Sequence, residues 1–347
     1  MKRFLALLTV VALLLGLGGC KTLTKYTDYS FDYFDTATTL VGYAHSKEEF
    51  DAVCTQIKEL LGEYHRLYDI YHRYEGVENL CTVNDLHQGV HRPVQVDGKI
   101  MGLLTYAKEL YTLTGGKMNV AMGSVLSIWH RYRTAGISNP QEAQLPPMDQ
   151  LQQAALHTDI GQMVLNEQES TVFLADPQMT LDVGAVAKGY ATEQVARHLE
   201  QQGITGYILN VGGNVRCVGT RPQGQPWSVG IENPDTANQE QPYVAYLHLV
   251  NKSLVTSGSY QRYYTVNGVR YHHIIDPATL MPGTNYRSVS VLCTDSGKAD
   301  ALSTALFSMS YQEGAALIEG LADVEAMWVL PNGEQRYSAG FKDYTDQ

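Results

Sequence analysis

Long amphipathic helices interleaved with hairpin-like pairs of short strands predict an α+β fold, with mixed or antiparallel sheets packed against long helices. Two patterns in the sequence carry this. Apolar residues recur at helical spacing over extended stretches, and short β-branched runs bounded by Gly, Pro and Asn recur between them. Strand follows strand across tight turns in the second half, which disfavours a doubly wound βαβ array. No solenoid-length repeat and no low-complexity block interrupts the chain.

The N-terminus sets the compartment. Lys2 and Arg3 precede an apolar run, Phe4–Leu17, that is short for a membrane-spanning helix. The run ends in Leu17-Gly18-Gly19-Cys20, which resembles a bacterial lipobox. The resemblance implies a signal peptide over 1–19, a lipid-modified thiol at Cys20 and a polar tether over 20–30. One domain over 31–347 would then sit on the extracytoplasmic face of the cell membrane. An ordinary signal peptide ending near a cysteine is the alternative.

Further along, Ser46-x-x-Glu49 reads as a capping box. It opens a helix whose stripe is Phe50, Val53, Ile57, Leu60, Leu61, Tyr64 and Leu67. A second helix covers about Ile100–Thr114 and stops at Gly115-Gly116. From about 130 to 165, Pro, Gln and Asn dominate, and a surface excursion is expected. Ser170–Ala175 reads as a strand; Ala187, Ala191, Val195 and Leu199 then share one helical face up to Gly203. GYILNVGGNVRCVG is strand, Gly-Gly turn, strand, and more strands are expected at Trp227–Ile231, Val244–Val250, Leu254–Ser257 and Ser288–Leu292. GKADALSTALFSMS closes the series as a helix.

A formal net charge of −11 without any Lys/Arg cluster argues against nucleic acid as a partner. It leaves room for a phosphate ligand, which needs only local positive potential. Cys54, Cys81, Cys217 and Cys293 form no C-x-x-C pair and no zinc spacing. Buried free thiols are expected, Cys81 set apart from the other three. Tyrosine outnumbers phenylalanine 23 to 7, which suits the stacking of an aromatic ligand and equally suits an extracytoplasmic surface.

Several stretches carry groups with chemistry. In LDVGAVAKGYATEQVARHLEQQG, Lys188 precedes Gly189, so this glycine-hinged helix entrance is no Walker A loop. Read alone, Lys188 is a solvated helix lysine. Asp300 and Thr304 lie one turn apart on a mostly apolar face. They are either a structural aspartate with a Thr bonded back to its helix, or half of a hard-cation site with oxygen donors. In YHHIIDPATLMPG, two histidines precede an Asp276-Pro277 turn, at a loop rim where sites are commonly built. TSGSYQRYY adds a hydroxyl-rich turn followed by Arg262 and tyrosines.

Each signal is weak alone, and their order is not. DVGAVAKGY, NVGGNVRCVG, TSGSYQRYY, HHIIDP…MPG and ADALSTALF follow one another as in the FAD:protein FMN transferase (ApbE) family. YFDTATTLVGY, YDIYHRYEGVENLCTVN and GGKMNVAMGSVLSIW resemble that family's N-terminal motifs, so the resemblance covers roughly Phe31 to Leu330.

The resemblance implies a single ApbE-like domain that binds FAD and Mg²⁺, or Ca²⁺ in its place. It implies transfer of the FMN half of FAD to a Thr or Ser hydroxyl of a target protein, with release of AMP. Acceptors of the family are Rnf- or Nqr-type subunits and FMN-binding-domain proteins. Matched by motif, Asp300, Thr304 and the Ala185 carbonyl become cation ligands, and Asp182 and Lys188 become nucleotide contacts. Phe34, Tyr71, Met118, Asn119, Val120 and Ile274 match flavin-nucleotide positions, the middle three in an expected strand after Gly115-Gly116. Here FDT stands where many members have MGT, and Asn119 where the family often has aspartate. The catalytic set expected is His273 as general base, Asp276 orienting its loop, and Lys188 at the phosphates. A hydrolase that converts FAD to FMN and AMP, and a non-catalytic flavin-binding lipoprotein, are the competing readings.

Overall fold

The computed structural model describes residues 22–346; the expected signal peptide and Cys20 lie outside the described residues. The chain enters on an edge hairpin, β1 (Thr24–Tyr33) and β2 (Thr36–Ala44). The tether expected up to residue 30 is therefore a strand from Thr24 onward. Its polar residues are what an edge strand tolerates, with one face solvated. The inward face is held by Tyr26, 5.5 Å from the Phe50 ring, and by an Asp28–Lys58 ion pair at 2.7 Å.

Helices α1 (Lys47–Tyr68) and α2 (Leu80–Val90) follow, then β3 (Val94–Gln95) and α3 (Gly98–Leu113). Ser46 caps α1 by accepting from the Glu49 amide at 3.2 Å. The reciprocal arm goes one residue further back, since Glu49 Oε2 accepts from the His45 amide at 3.0 Å. The expected surface excursion is about half helical instead: α4 (Gly123–Ser138) ends in it and α5 (Met148–Ala155) lies within it. Most of its Pro, Gln and Asn residues fall in the α4–α5 connection and on α5, while α4 carries Val125 and Trp129 into a core cluster. Met118 and Asn119 are irregular and Val120 opens a 3₁₀ turn, so the strand expected there is absent. Asn119 caps that turn by accepting from the Ala121 amide, and this competes with a strand ladder.

The remaining elements are β4 (Met163–Asn166), β5 (Thr171–Leu174), α6 (Ala187–Gln201), β6 (Tyr207–Val211), β7 (Asn214–Val218), β8 (Trp227–Glu232) and β9 (Tyr243–Leu249). They continue with β10 (Ser253–Gly258), β11 (Tyr263–Val266), β12 (Val269–His272), β13 (Ser288–Cys293), α7 (Ser296–Phe307), α8 (Tyr311–Glu319), β14 (Glu325–Val329) and β15 (Gln335–Tyr337). Eight strands form the central sheet in the order β1-β2-β6-β7-β10-β13-β14-β15, antiparallel throughout.

Alternation along each strand feeds two cores. Val255, Val289, Val291 and Trp328 face the helical layer of α1, α6 and α7. Leu254, Leu292, Met327 and Val329 face the β8–β9 hairpin and Phe341. A third cluster joins α4 and α5 to β11 and to Ile275 and Leu280. The cleft described next is walled by the sheet, by the α6–α7 pair and by this third cluster. All four described cysteines are buried free thiols, Cys81 included. Among the described residues no helix is long and apolar enough to cross a membrane.

Candidate active site

The floor of the cleft is the crossing of α6 and α7. Gly189, in the first turn of α6, is required there, because an added Cβ would meet Ser296 O at 2.3 Å and Asp300 Cβ at 2.5 Å. The close approach lets the Gly189 amide donate to Asp300 Oδ2 at 2.9 Å instead of to the Ala185 carbonyl. That carbonyl accepts no hydrogen bond among the described residues, and Ala185 lines the cleft. Lys188 Nζ bridges Gly184 O at 3.3 Å and Asp300 Oδ2 at 3.4 Å. Thr304 lies one turn beyond Asp300, also on the wall, and its hydroxyl has no partner among the described residues. The hydroxyl that bonds back to the helix is that of Ser303, which donates to Asp300 O at 2.9 Å.

Burial pushes the Asp300 carboxyl up, while Lys188 and the Gly189 N–H pull it the other way. A carboxylate, a hydroxyl and a free carbonyl around a partly compensated charge fit a hard divalent cation. No group of three or more His, Cys, Asp or Glu side chains able to hold a metal occurs among the described residues. The donors gathered here, Asp300, Thr304 and the Ala185 carbonyl, are all oxygens.

Asp182 sits beside this floor, its Oδ1 accepting from the Gly184 amide at 2.9 Å. Its segment is fixed by Asn84, which exchanges two hydrogen bonds with Leu181 at 2.8 and 3.0 Å. Burial raises the Asp182 carboxyl, against the pull of the Gly184 amide, His130, Arg133 and Lys188. Opposite, one face of α4 presents Leu126, Trp129, His130 and Arg133 to the cleft. Tyr71 stacks on His130 with centroids 5.1 Å apart, and Trp129 Nε1 donates to Leu280 O at 2.9 Å, anchoring the 276–281 loop.

The two adjacent histidines divide their work. His272 is buried, with Nε2 donating to Gly283 O at 2.6 Å and Nδ1 accepting from the Ile274 amide at 3.2 Å. Both nitrogens are spent, so it is structural. His273 lines the cleft, and its Nδ1 donates to Arg262 O at 3.2 Å. The lone pair therefore resides on Nε2. Burial, then Arg262, Arg133 and His272, push this imidazole down to about 3.

A family model described as the ApbE family matches residues 29–328. The chain belongs to the ApbE family. It is 30% identical to a Treponema pallidum protein named FAD:protein FMN transferase, over 96% of this chain and 93% of that one. A Klebsiella pneumoniae protein of the same name is 33% identical, over 77% of this chain and 82% of its own length. The crystal structure of a Thermotoga maritima ApbE protein superposes with a TM-score of 0.81 at 26% identity, covering 93% of this chain and all of that one. A Vibrio cholerae flavin transferase ApbE, 24% identical, shares the fold with a TM-score of 0.76.

In this ApbE-family chain the structure brings Tyr71, Met118, Asn119, Asp182, Ala185, Lys188, His273, Ile274, Asp300 and Thr304 into one cleft. Three expected residues do not reach its wall. Phe34 lies edge-on to His65 with its amide donating to His65 Nδ1, on a left-handed turn (φ 54°) of the β1–β2 hairpin. Val120 is fully buried, and its carbonyl accepts from the Asp182 amide at 2.8 Å, so it positions Asp182. Asp276 is engaged by Lys117 at 3.0 Å and by the Ala278 amide at 3.0 Å, which places it in the loop between lining residues Ile275 and Pro277. Sequence reasoning missed Lys117, His130, Arg133 and the cleft position of Arg262. The Met122–Leu126–Trp129–Arg133 spacing was the helical signal that would have found the α4 face.

Proposed function

We propose that this chain is an FAD:protein FMN transferase that moves FMN from FAD onto a Thr or Ser hydroxyl of a target protein and releases AMP. The observation that carries the reading is the junction at Gly189. One close helix crossing frees the Ala185 carbonyl and sets Asp300, Thr304 and Lys188 beside it, in a cleft that Arg133 and Arg262 also line. Asp300, Thr304 and the Ala185 carbonyl are the groups that would hold Mg²⁺, or Ca²⁺ in its place. When bound, the ion would neutralise pyrophosphate charge as it develops. Lys188, Arg133 and Arg262 bind and orient the diphosphate, adding positive charge beside the start of α6. Tyr71 and His130 offer a stacked aromatic edge for a flat ring system.

In the transfer, the acceptor oxygen bonds to the flavin-side phosphorus while that phosphorus–oxygen bond to AMP breaks. The hydroxyl proton passes to Nε2 of His273. Lys117 and Asp276 hold the loop that carries the imidazole. Acceptors of the Rnf or Nqr type, or FMN-binding-domain proteins, belong to this proposal, as does lipid anchoring at Cys20 on the extracytoplasmic face of the membrane.

The deciding experiment incubates the protein with FAD, Mg²⁺ and an acceptor domain and follows covalent FMN on the acceptor by mass. A flavinylated acceptor with AMP is expected, and Asp300→Ala should abolish it. AMP and FMN without acceptor modification would make the chain a hydrolase; binding without either product would make it a carrier. Anchoring is tested separately: Cys20→Ala should move the protein from the membrane fraction to the soluble one.

A further inference from the structure

Two hydrogen bonds from backbone amides to carboxylates join α6 to α7, one helical turn apart on each helix and running in opposite senses, beside the side-chain contacts Lys188–Asp300 and Arg197–Asp295. The first is Gly189 N to Asp300 Oδ2 at 2.9 Å, already part of the cleft floor. The second lies behind it, where Glu193 Oε2 accepts from the Ser296 amide at 3.0 Å. Ser296 is the first residue of α7, so this amide is one of the helix's unpaired N–H groups, and Glu193 satisfies it.

Glu193 is itself only 3% exposed and fully engaged. Its Oε1 accepts from Arg197 Nε at 2.9 Å and its Oε2 from Arg216 Nε at 3.0 Å. Arg216, on β7 and 4% exposed, also reaches Glu200 Oε1 at 2.9 Å. One carboxylate therefore ties α6, the start of α7 and the central sheet together.

The geometry points to Glu193 as a positioning residue for the cation donors, an inference that rests on the transferase reading. Ala185 belongs to the entrance of α6, while Asp300 and Thr304 belong to α7. Mg²⁺ demands near-ideal octahedral geometry with short bonds, so a small slide of α7 along α6 would spoil the set. The Gly189 rung ends on Asp300, itself a donor to the ion, and the Arg197–Asp295 tie at 3.0 Å is partly exposed. Glu193 supplies a rung that touches neither ion nor substrate.

The test measures Mg²⁺ binding directly by titration calorimetry on the full protein, beside FAD binding in EDTA by flavin fluorescence and thermal unfolding. Glu193→Ala is expected to weaken Mg²⁺ binding by about 10–100-fold, as loss of an outer-shell partner does, with a much smaller change in metal-free FAD binding. Glu193→Gln keeps the volume and one acceptor oxygen. It should stay folded if the alanine variant does not, and fall between wild type and alanine. Unchanged Mg²⁺ affinity in a folded variant overturns the proposal. So does a parallel loss of Mg²⁺ affinity, FAD affinity and melting temperature, which would mark a purely structural carboxylate. Absence of Mg²⁺ binding in the wild-type protein would instead remove the metal site, and this role with it.

Discussion

At His273 the hydrogen bonds decide the tautomer, because a carbonyl can only accept from Nδ1 and so leaves the lone pair on Nε2. Burial and two guanidinium groups keep the ring neutral with its titration pushed down to about 3. The acid limb of kcat/KM, which reports the free enzyme, should therefore lie well below the ordinary imidazole range near 6.5. His273→Ala should lower turnover by about 10²–10⁴-fold, as loss of a general base does. A wild-type rate across pH 6–9 in that variant would remove it from the mechanism. The same shift has a sign for stability. The unfolded chain takes up this proton near 6.5 and the folded one only near 3, so stability falls as pH drops through that window. Urea midpoints measured down that range should decline more steeply for wild type than for His273→Gln.

At the scale of elements, the α6–α7 crossing is the joint on which the site depends. Gly189→Ala would drive a Cβ into Ser296 O and Asp300 Cβ, both backbone-anchored, so the helices must part. A loss of about 1–3 kcal/mol of unfolding free energy, read from denaturant titration, is expected from such overpacking, together with weakened Mg²⁺ binding. Intact metal affinity would show that the crossing distance does not matter. Helices with strong stripes, such as α1 and α6, and the Gly212-Gly213 hairpin were legible in the sequence. Both glycines of that turn take positive φ, 58° and 88°, as its dipeptide signal implied. The α4 helix was hidden, because its apolar stripe is short and Gly, Ser, His and Arg interrupt it. The β1 strand was hidden for a different reason: an edge strand has one polar face and reads as a polar linker.

For the whole molecule, the distribution of charge matters more than its sum. The chain carries a formal net charge of −11, yet Lys117, Lys188, Arg133 and Arg262 line one cleft. Burial, with Arg262 nearby, depresses even the Arg133 guanidinium, although Tyr71 and Asp182 pull it upward. Mutual repulsion of buried cations is what an anionic ligand relieves. Arg133→Gln or Arg262→Gln should weaken FAD binding roughly tenfold, the worth of a charge-assisted hydrogen bond. The salt dependence of binding should flatten in the same variants. Equal affinity and equal salt slope would place the diphosphate elsewhere.

The sequence by itself determined the fold class, about half of the strands and helices, and the order of motifs that marks the ApbE family. Those follow from local periodicity, turn chemistry and residue identity, all properties of short stretches. It also placed Asp300 and Thr304 on one helix face, whatever surrounds them. Only the tertiary structure decided that Gly189 frees the Ala185 carbonyl, that Arg133 and His130 close the far wall, and that His273 rather than His272 faces the cleft. It also set Phe34 against His65, buried Val120 behind Asp182 and tied Asp276 to Lys117 within its loop. Each of those depends on how elements distant in sequence approach one another, and no local pattern encodes a distance between two helices.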